Sequence, residues 1–127
     1  MKIAVLKEGR PGEKRVALTP NIVKQLLAKG FEVNVESSAG EASAFQNSDY
    51  EAAGASIKLT AGDCIHGAQV VVKINHFTES EIQMLSAGQI VMSLMYHLTN
   101  PEYVKKLAEK SVSAFSMDAI PRISRAQ

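Results

Sequence analysis

The sequence has a single cysteine, Cys64, so no internal disulfide can form. That suits a reducing compartment. No apolar run approaches the roughly 18–20 residues that a membrane-spanning helix needs. The amino terminus passes from a short apolar run straight into charges, with no signal-peptide pattern. The chain is therefore expected to be soluble. Charge of one sign is lacking too: 14 Lys and Arg stand against 13 Asp and Glu, a formal net charge of +1. Such a balance makes no field that would favour nucleic acid or an anionic membrane. Cys64 and His66 are not in zinc spacing, so no metal is expected. No Gly-x-Ser-x-Gly elbow is present, and three scattered histidines spell out no triad. There is no internal repeat or low-complexity tract.

What is present suffices for one core. The chain has 127 residues, 46% of them hydrophobic and 21% charged. That is the size and balance of one globular domain. Residues 2–6 form a first apolar run. Thr19-Pro20 reads as a helix start, with Ile22, Val23, Leu26 and Leu27 at helical spacing and Gly30 as the stop. Residues 31–36 make a second strand. Strand, helix, strand in this space is a βαβ unit with a right-handed crossover. Residues 48–53 read as a short helix with Tyr50 inward and Gly54 after it. Residues 56–59 read as a brief strand, and residues 61–66 as one or two helical turns. Residues 70–73 are a continuous apolar run closed by Lys73, the mark of a strand covered on both faces. Thr78 with Glu81 forms a capping box ahead of Ile82, Met84 and Leu85, and Gly88 ends that helix. Residues 90–95 make another apolar strand. Asn100-Pro101 opens a helix expected to face Val104, Leu107 and Ala108 inward. Residues 112–117 read as a last, buried strand.

The alternation predicts an α/β fold with a doubly wound, mostly parallel sheet. It is Rossmann- or flavodoxin-like in outline, without a Gly-rich phosphate loop. The only glycine-containing turn after the first strand is Gly9-Arg-Pro-Gly12. It lacks the three-glycine pattern, and no helix begins directly behind it.

In a parallel sheet the strand exits share one edge. Here they carry Arg10, Lys14 and Arg15, then Lys73, Asn75 and His76, then Tyr96 and His97, and finally Arg122. A rim of cations and hydrogen-bonding groups suits an anionic or carboxamide-bearing ligand, although strand-end loops are polar in any case. Lys73, closing a buried strand, must either snorkel or find a partner. The last ten residues concentrate the chemistry. Pro121 stiffens a loop that carries Arg122, Arg125 and Gln127, two planar donor forks and an amide.

The stretches Met1-Lys-Ile-Ala-Val-Leu-Lys-Glu8, Glu13-Lys-Arg-Val-Ala-Leu-Thr-Pro20, Val35-Glu-Ser-Ser-Ala-Gly40 and Tyr50-Glu-Ala-Ala-Gly-Ala55 resemble the amino-terminal domain shared by alanine dehydrogenase and the NAD(P) transhydrogenase alpha subunit. The resemblance runs over residues 1–127. The terminal Met117-Asp-Ala-Ile-Pro-Arg-Ile-Ser-Arg-Ala-Gln127 resembles the transhydrogenase loop whose arginine and glutamine reach the nicotinamide of NAD(H).

That resemblance implies roles for Arg122 and Gln127 in holding the nicotinamide, with Tyr96 beside the cofactor. It implies NAD(H) as cofactor of the full protein and NADP(H) on a partner component. It also implies a following Rossmann-type domain, membrane-spanning partner segments that couple hydride transfer to proton movement, and a homodimer. The place implied is the cytoplasmic face of the inner membrane. An aspartate follows the family's glutamine and would fall past Gln127, so the chain is expected to be a fragment, inactive and without bound cofactor by itself.

The alternative is an alanine dehydrogenase-like domain, in which Arg15 and Lys73 match the arginine and lysine that bind a substrate carboxylate. That family's catalytic histidine falls on Tyr96, with His97 one place off, which weakens the alternative. A dimerising interaction domain is the third possibility.

Overall fold

The computed structural model describes residues 1–93 and 101–116. Twelve elements alternate along them. Strands are β1 (Lys2–Val5), β2 (Glu32–Glu36), β3 (Ser56–Lys58), β4 (Val70–Val72), β5 (Ile90–Ser93) and β6 (Ser113–Ser116). Helices are α1 (Pro20–Ala28), α2 (Asn47–Ala52), α3 (Ala61–Ile65), α4 (Glu79–Met84) and α5 (Pro101–Glu109), with a single 3-10 turn at Glu41–Ser43. Every strand pairing is parallel, in the order β3-β2-β1-β4-β5-β6.

The local starts are as the residue types dictate. Thr19 accepts the Ile22 N–H, with Pro20 as first helical residue. Thr78 and Glu81 close a reciprocal capping box on α4. Gly30 and Gly54 take the positive φ that ends α1 and α2 (+95° and +104°) at no steric cost.

The core has two halves, one on each face of the sheet. Strand β1 feeds both by strict alternation: Ile3 and Val5 to one side, Ala4 and Leu6 to the other. The first half joins Val23, Val33, Val35 and Tyr50; the second joins Ile65, Val71, Phe77, Ile82, Val91 and Leu107. Each fully buried aliphatic side chain stabilises the fold by about 1.5–3 kcal/mol before the entropy cost. Asn34, 4% exposed in the middle of β2, is tolerated because its Nδ2 donates to the Cys64 carbonyl at 3.2 Å.

Two sequence expectations are corrected. On α5 the inward residues are Tyr103 and Leu107, while Val104 (42% exposed) and Ala108 face outward. Tyr103 wins the inward position because its ring stacks on His76 at 4.4 Å and its hydroxyl accepts the Phe77 N–H at 3.0 Å. The last strand is not buried either. It is the sheet's edge, paired only with β5 among the described residues, and Phe115 is 53% exposed.

Candidate functional site

The carboxyl ends of β1, β2 and β4 lie side by side, so residues 7–15, 37–42 and 73–76 form one rim. Between β1 and β4 the ladder continues one step beyond the strands, Leu6 N–H to Val72 O at 3.3 Å. Above it the two exit loops are joined by side chains. Glu8 Oε2 accepts the Ile74 N–H at 2.8 Å, and Glu8 Oε1 accepts the Asn75 N–H at 3.1 Å. Asn75, 6% exposed, donates its Nδ2 to Glu8 Oε1 and Glu13 Oε1, and its Oδ1 accepts from Arg10. Glu13 in turn grips Arg15 through both carboxylate oxygens, each at 2.8 Å.

Arg15 lines a cleft of about 300 Å³ with Lys7, Glu8, Glu13, Ser38 and Ala39. Lys73 is turned elsewhere. Its side chain is 2% exposed, and its Nζ meets Glu81 Oε1 at 2.9 Å. Nζ also reaches the His76 carbonyl at 3.4 Å and sits 5.9 Å from the Phe77 ring centroid. The lysine has found a partner rather than snorkelling. Two of the cations at the described strand exits are therefore paired with carboxylates, Arg15 with Glu13 and Lys73 with Glu81.

Sequence reasoning did not assign Glu8, Glu13 or Asn75 a partner. The signal for Glu13 was its place two residues before an arginine on one short loop. Glu81 was visible only as half of a capping box. Tyr96, His97, Arg122 and Gln127 lie outside the described residues.

The hydrogen bonds from Arg15 hold the Glu13 carboxyl well below the usual carboxylate range. Burial, the largest influence on Glu36, pushes its carboxyl up, although it accepts the Lys7 N–H at 2.8 Å. Burial also pushes the Cys64 thiol up to about 12, so it is no nucleophile.

A pH consequence follows for Glu13. Its native pKa is lowered, so its contribution to stability is complete above its ordinary value of 4.5 and is lost as the pH falls through the lowered one. Urea midpoints at neutral pH and at about pH 3 are expected to differ more in the wild-type chain than in Glu13→Gln. Equal differences would show that the Arg15 contact does not outlast solvent competition.

No helix begins directly behind β1, because α1 starts at Pro20. The donor cradle that holds a pyrophosphate in dinucleotide-binding sheets is thus not formed there. Among the described residues no helix is long and apolar enough to cross a membrane, and no group of three or more His, Cys, Asp or Glu could hold a metal ion.

Comparison with known proteins gives the following. The family model "Alanine dehydrogenase/PNT, N-terminal domain" matches residues 4–127. The chain is similar to the NAD(P) transhydrogenase subunit alpha of Haemophilus influenzae, with 40% identity over 127 residues that take in 100% of this chain and 24% of that protein. It is 36% identical to alanine dehydrogenase 1 of Staphylococcus aureus over 127 residues, 100% of this chain and 34% of the other. Among solved structures, the transhydrogenase of Sinorhizobium meliloti matches with a TM-score of 0.92 at 35% identity, covering 100% of this chain and 38% of that one. The chain thus spans about a quarter of the length of the first curated relative and about a third of the second.

Proposed function

We propose a function from a firm premise: this chain belongs to the alanine dehydrogenase/PNT N-terminal domain family. It is the amino-terminal part of the NAD(H)-binding component of a proton-translocating NAD(P) transhydrogenase. In that protein Arg122 and Gln127 hold the nicotinamide carboxamide for hydride transfer between NADH and NADP+, with Tyr96 near the ring. A Rossmann-type domain of the same subunit grips the phosphates of NAD(H). NADP(H) sits on a partner component, and membrane-spanning partners carry the proton. The subunit is a homodimer at the cytoplasmic face of the membrane.

The observation that carries this reading is that similarity to a transhydrogenase alpha subunit takes in all of the chain, the stretch with Arg122 and Gln127 included, at 40% identity against 36% for the alanine dehydrogenase. The filled edge between β1 and β4 supports it, because the described residues leave the pyrophosphate to another domain. Cofactor chemistry supplies the hydride; the protein supplies position and dryness. A few hydrogen bonds at ~0.5–1.5 kcal/mol each position a ring without holding a whole dinucleotide.

The alanine dehydrogenase reading has the Staphylococcus relative in its favour. It is the weaker one, because each cation it needs for a substrate carboxylate already holds a carboxylate of this chain.

The deciding experiment uses the subunit with its Rossmann-type domain, mixed with the NADP(H)-binding component. Hydride is expected to pass from NADH to an NADP+ analogue, and alanine with NAD+ is expected to give no NADH. Alanine oxidation without transhydrogenation would reverse the assignment.

A further inference from the structure

The switch point of this sheet lies between β1 and β4, where the strand order changes direction. In open α/β sheets that crevice is where a ligand is held, often through an anionic group. Here a carboxylate of the chain is already in it. Glu8 follows β1 and sits over the end of β4, where three donors converge on it: Ile74 N–H at 2.8 Å, Asn75 N–H at 3.1 Å and Asn75 Nδ2 at 3.2 Å. Two successive backbone N–H groups at a bend, joined by a side-chain amide, are the donor set of a backbone anion site. The Asn75 amide is fixed from both ends. Its Nδ2 also donates to Glu13 at 2.9 Å, and its Oδ1 accepts from Arg10 at 3.2 Å, so nitrogen and not oxygen faces Glu8.

We propose that this is an anion site which the chain fills with its own side chain, Glu8 standing where a ligand's carboxylate or phosphate would otherwise sit. The filled site closes the β1–β4 crevice to anionic ligand groups. On the transhydrogenase reading, the nicotinamide then has to be met from the side of β5 and β6, the strands after which Tyr96, Arg122 and Gln127 follow in sequence. The site itself stands on the Glu8 geometry alone.

The test is chemical rescue, read by thermal unfolding of the 127-residue chain. Glu8→Ala removes the anion and leaves the three donors in place. Its Tm is expected to fall by about 10 °C, several charge-assisted hydrogen bonds being lost together. Formate at about 0.1 M is expected to restore at least half of that loss, beyond what the same concentration of chloride does. Inorganic phosphate should stabilise Glu8→Ala and leave the wild-type chain unmoved. Glu8→Gln keeps the space filled but sets an amide against donors, so its Tm should fall without responding to formate. The proposal is overturned if formate does no more than chloride, if Glu8→Ala stays unfolded in formate, or if the wild-type chain responds to phosphate as strongly as the variant. None of these outcomes depends on hydride transfer, so loss of the transhydrogenase reading and loss of this site are separable.

Discussion

Replacing Glu81 by alanine is expected to cost this chain about 3–5 kcal/mol of folding stability, more than almost any other single surface-proximal change. The reason lies with its partner. Lys73 is 2% exposed at the end of β4, and among the described residues its ammonium has one anionic contact, Glu81 Oε1 at 2.9 Å. Taking that oxygen away leaves a charge in a site where water does not reach it. The His76 carbonyl at 3.4 Å is too long to compensate, and the Phe77 ring at 5.9 Å contributes a weak cation–π attraction. The same oxygen also accepts the Thr78 N–H at 2.7 Å, so the variant loses half of the α4 capping box as well.

The converse change should behave differently. In Lys73→Met the orphan is Glu81, whose side chain is 13% exposed and keeps the Thr78 N–H. Its charge stays partly solvated, and an apolar chain of similar length fills the lysine's place. A cost near zero to ~1 kcal/mol is expected, and the pair Lys73→Met with Glu81→Ala should recover most of what Glu81→Ala loses. Urea midpoints with unchanged slopes decide it. Equal costs for the two single variants would mean that burial of Lys73 is not what makes the pair matter.

This asymmetry also shows where reading the sequence stops. Thr78 and Glu81 announce a helix start because the spacing of a capping box is local. That Glu81 doubles as counter-ion to Lys73, eight residues back, depends on how α4 folds over the end of β4. Alternating strand and helix patterns are likewise local, and they led to the doubly wound sheet. The order β3-β2-β1-β4-β5-β6 is a fact about space, and the edge position of β6 with it. The apolar look of residues 112–117 could not distinguish a central strand from one whose outer neighbour is missing among the described residues. On α5 the helical period was right and Leu107 was placed inward, but Tyr103 shares its face in place of Val104 and Ala108. Apolarity ranks Val104 above Tyr103, whereas the fold rewards the side chain that can both stack on His76 and accept a backbone N–H. The rim shows the same limit. Its cations were legible one by one; Glu13 was within reach as the loop neighbour of Arg15, whereas the carboxylate that neutralises Lys73 lies on a helix that only the fold brings to it.

The largest functional effect is expected at Arg122. On the transhydrogenase reading, its guanidinium and the Gln127 amide hold the nicotinamide carboxamide so that the ring carbon faces its acceptor. Hydride transfer is steep in distance and angle, and a misplacement of about 1 Å is enough for a ~10²-fold loss. Arg122→Ala in the subunit with its Rossmann-type domain should therefore slow single-turnover transfer about 10²-fold, with its thermal midpoint unchanged. Affinity for NADH should fall far less, since the phosphates are gripped elsewhere. Arg122→Lys keeps the charge and loses the planar fork, so it should restore little of the rate. Gln127→Ala, removing a neutral contact, should cost about one tenth as much in rate as Arg122→Ala. A rate that stays normal in Arg122→Ala, or a loss confined to NADH affinity, would take the terminal loop out of ring positioning and leave it as a solvated basic tail.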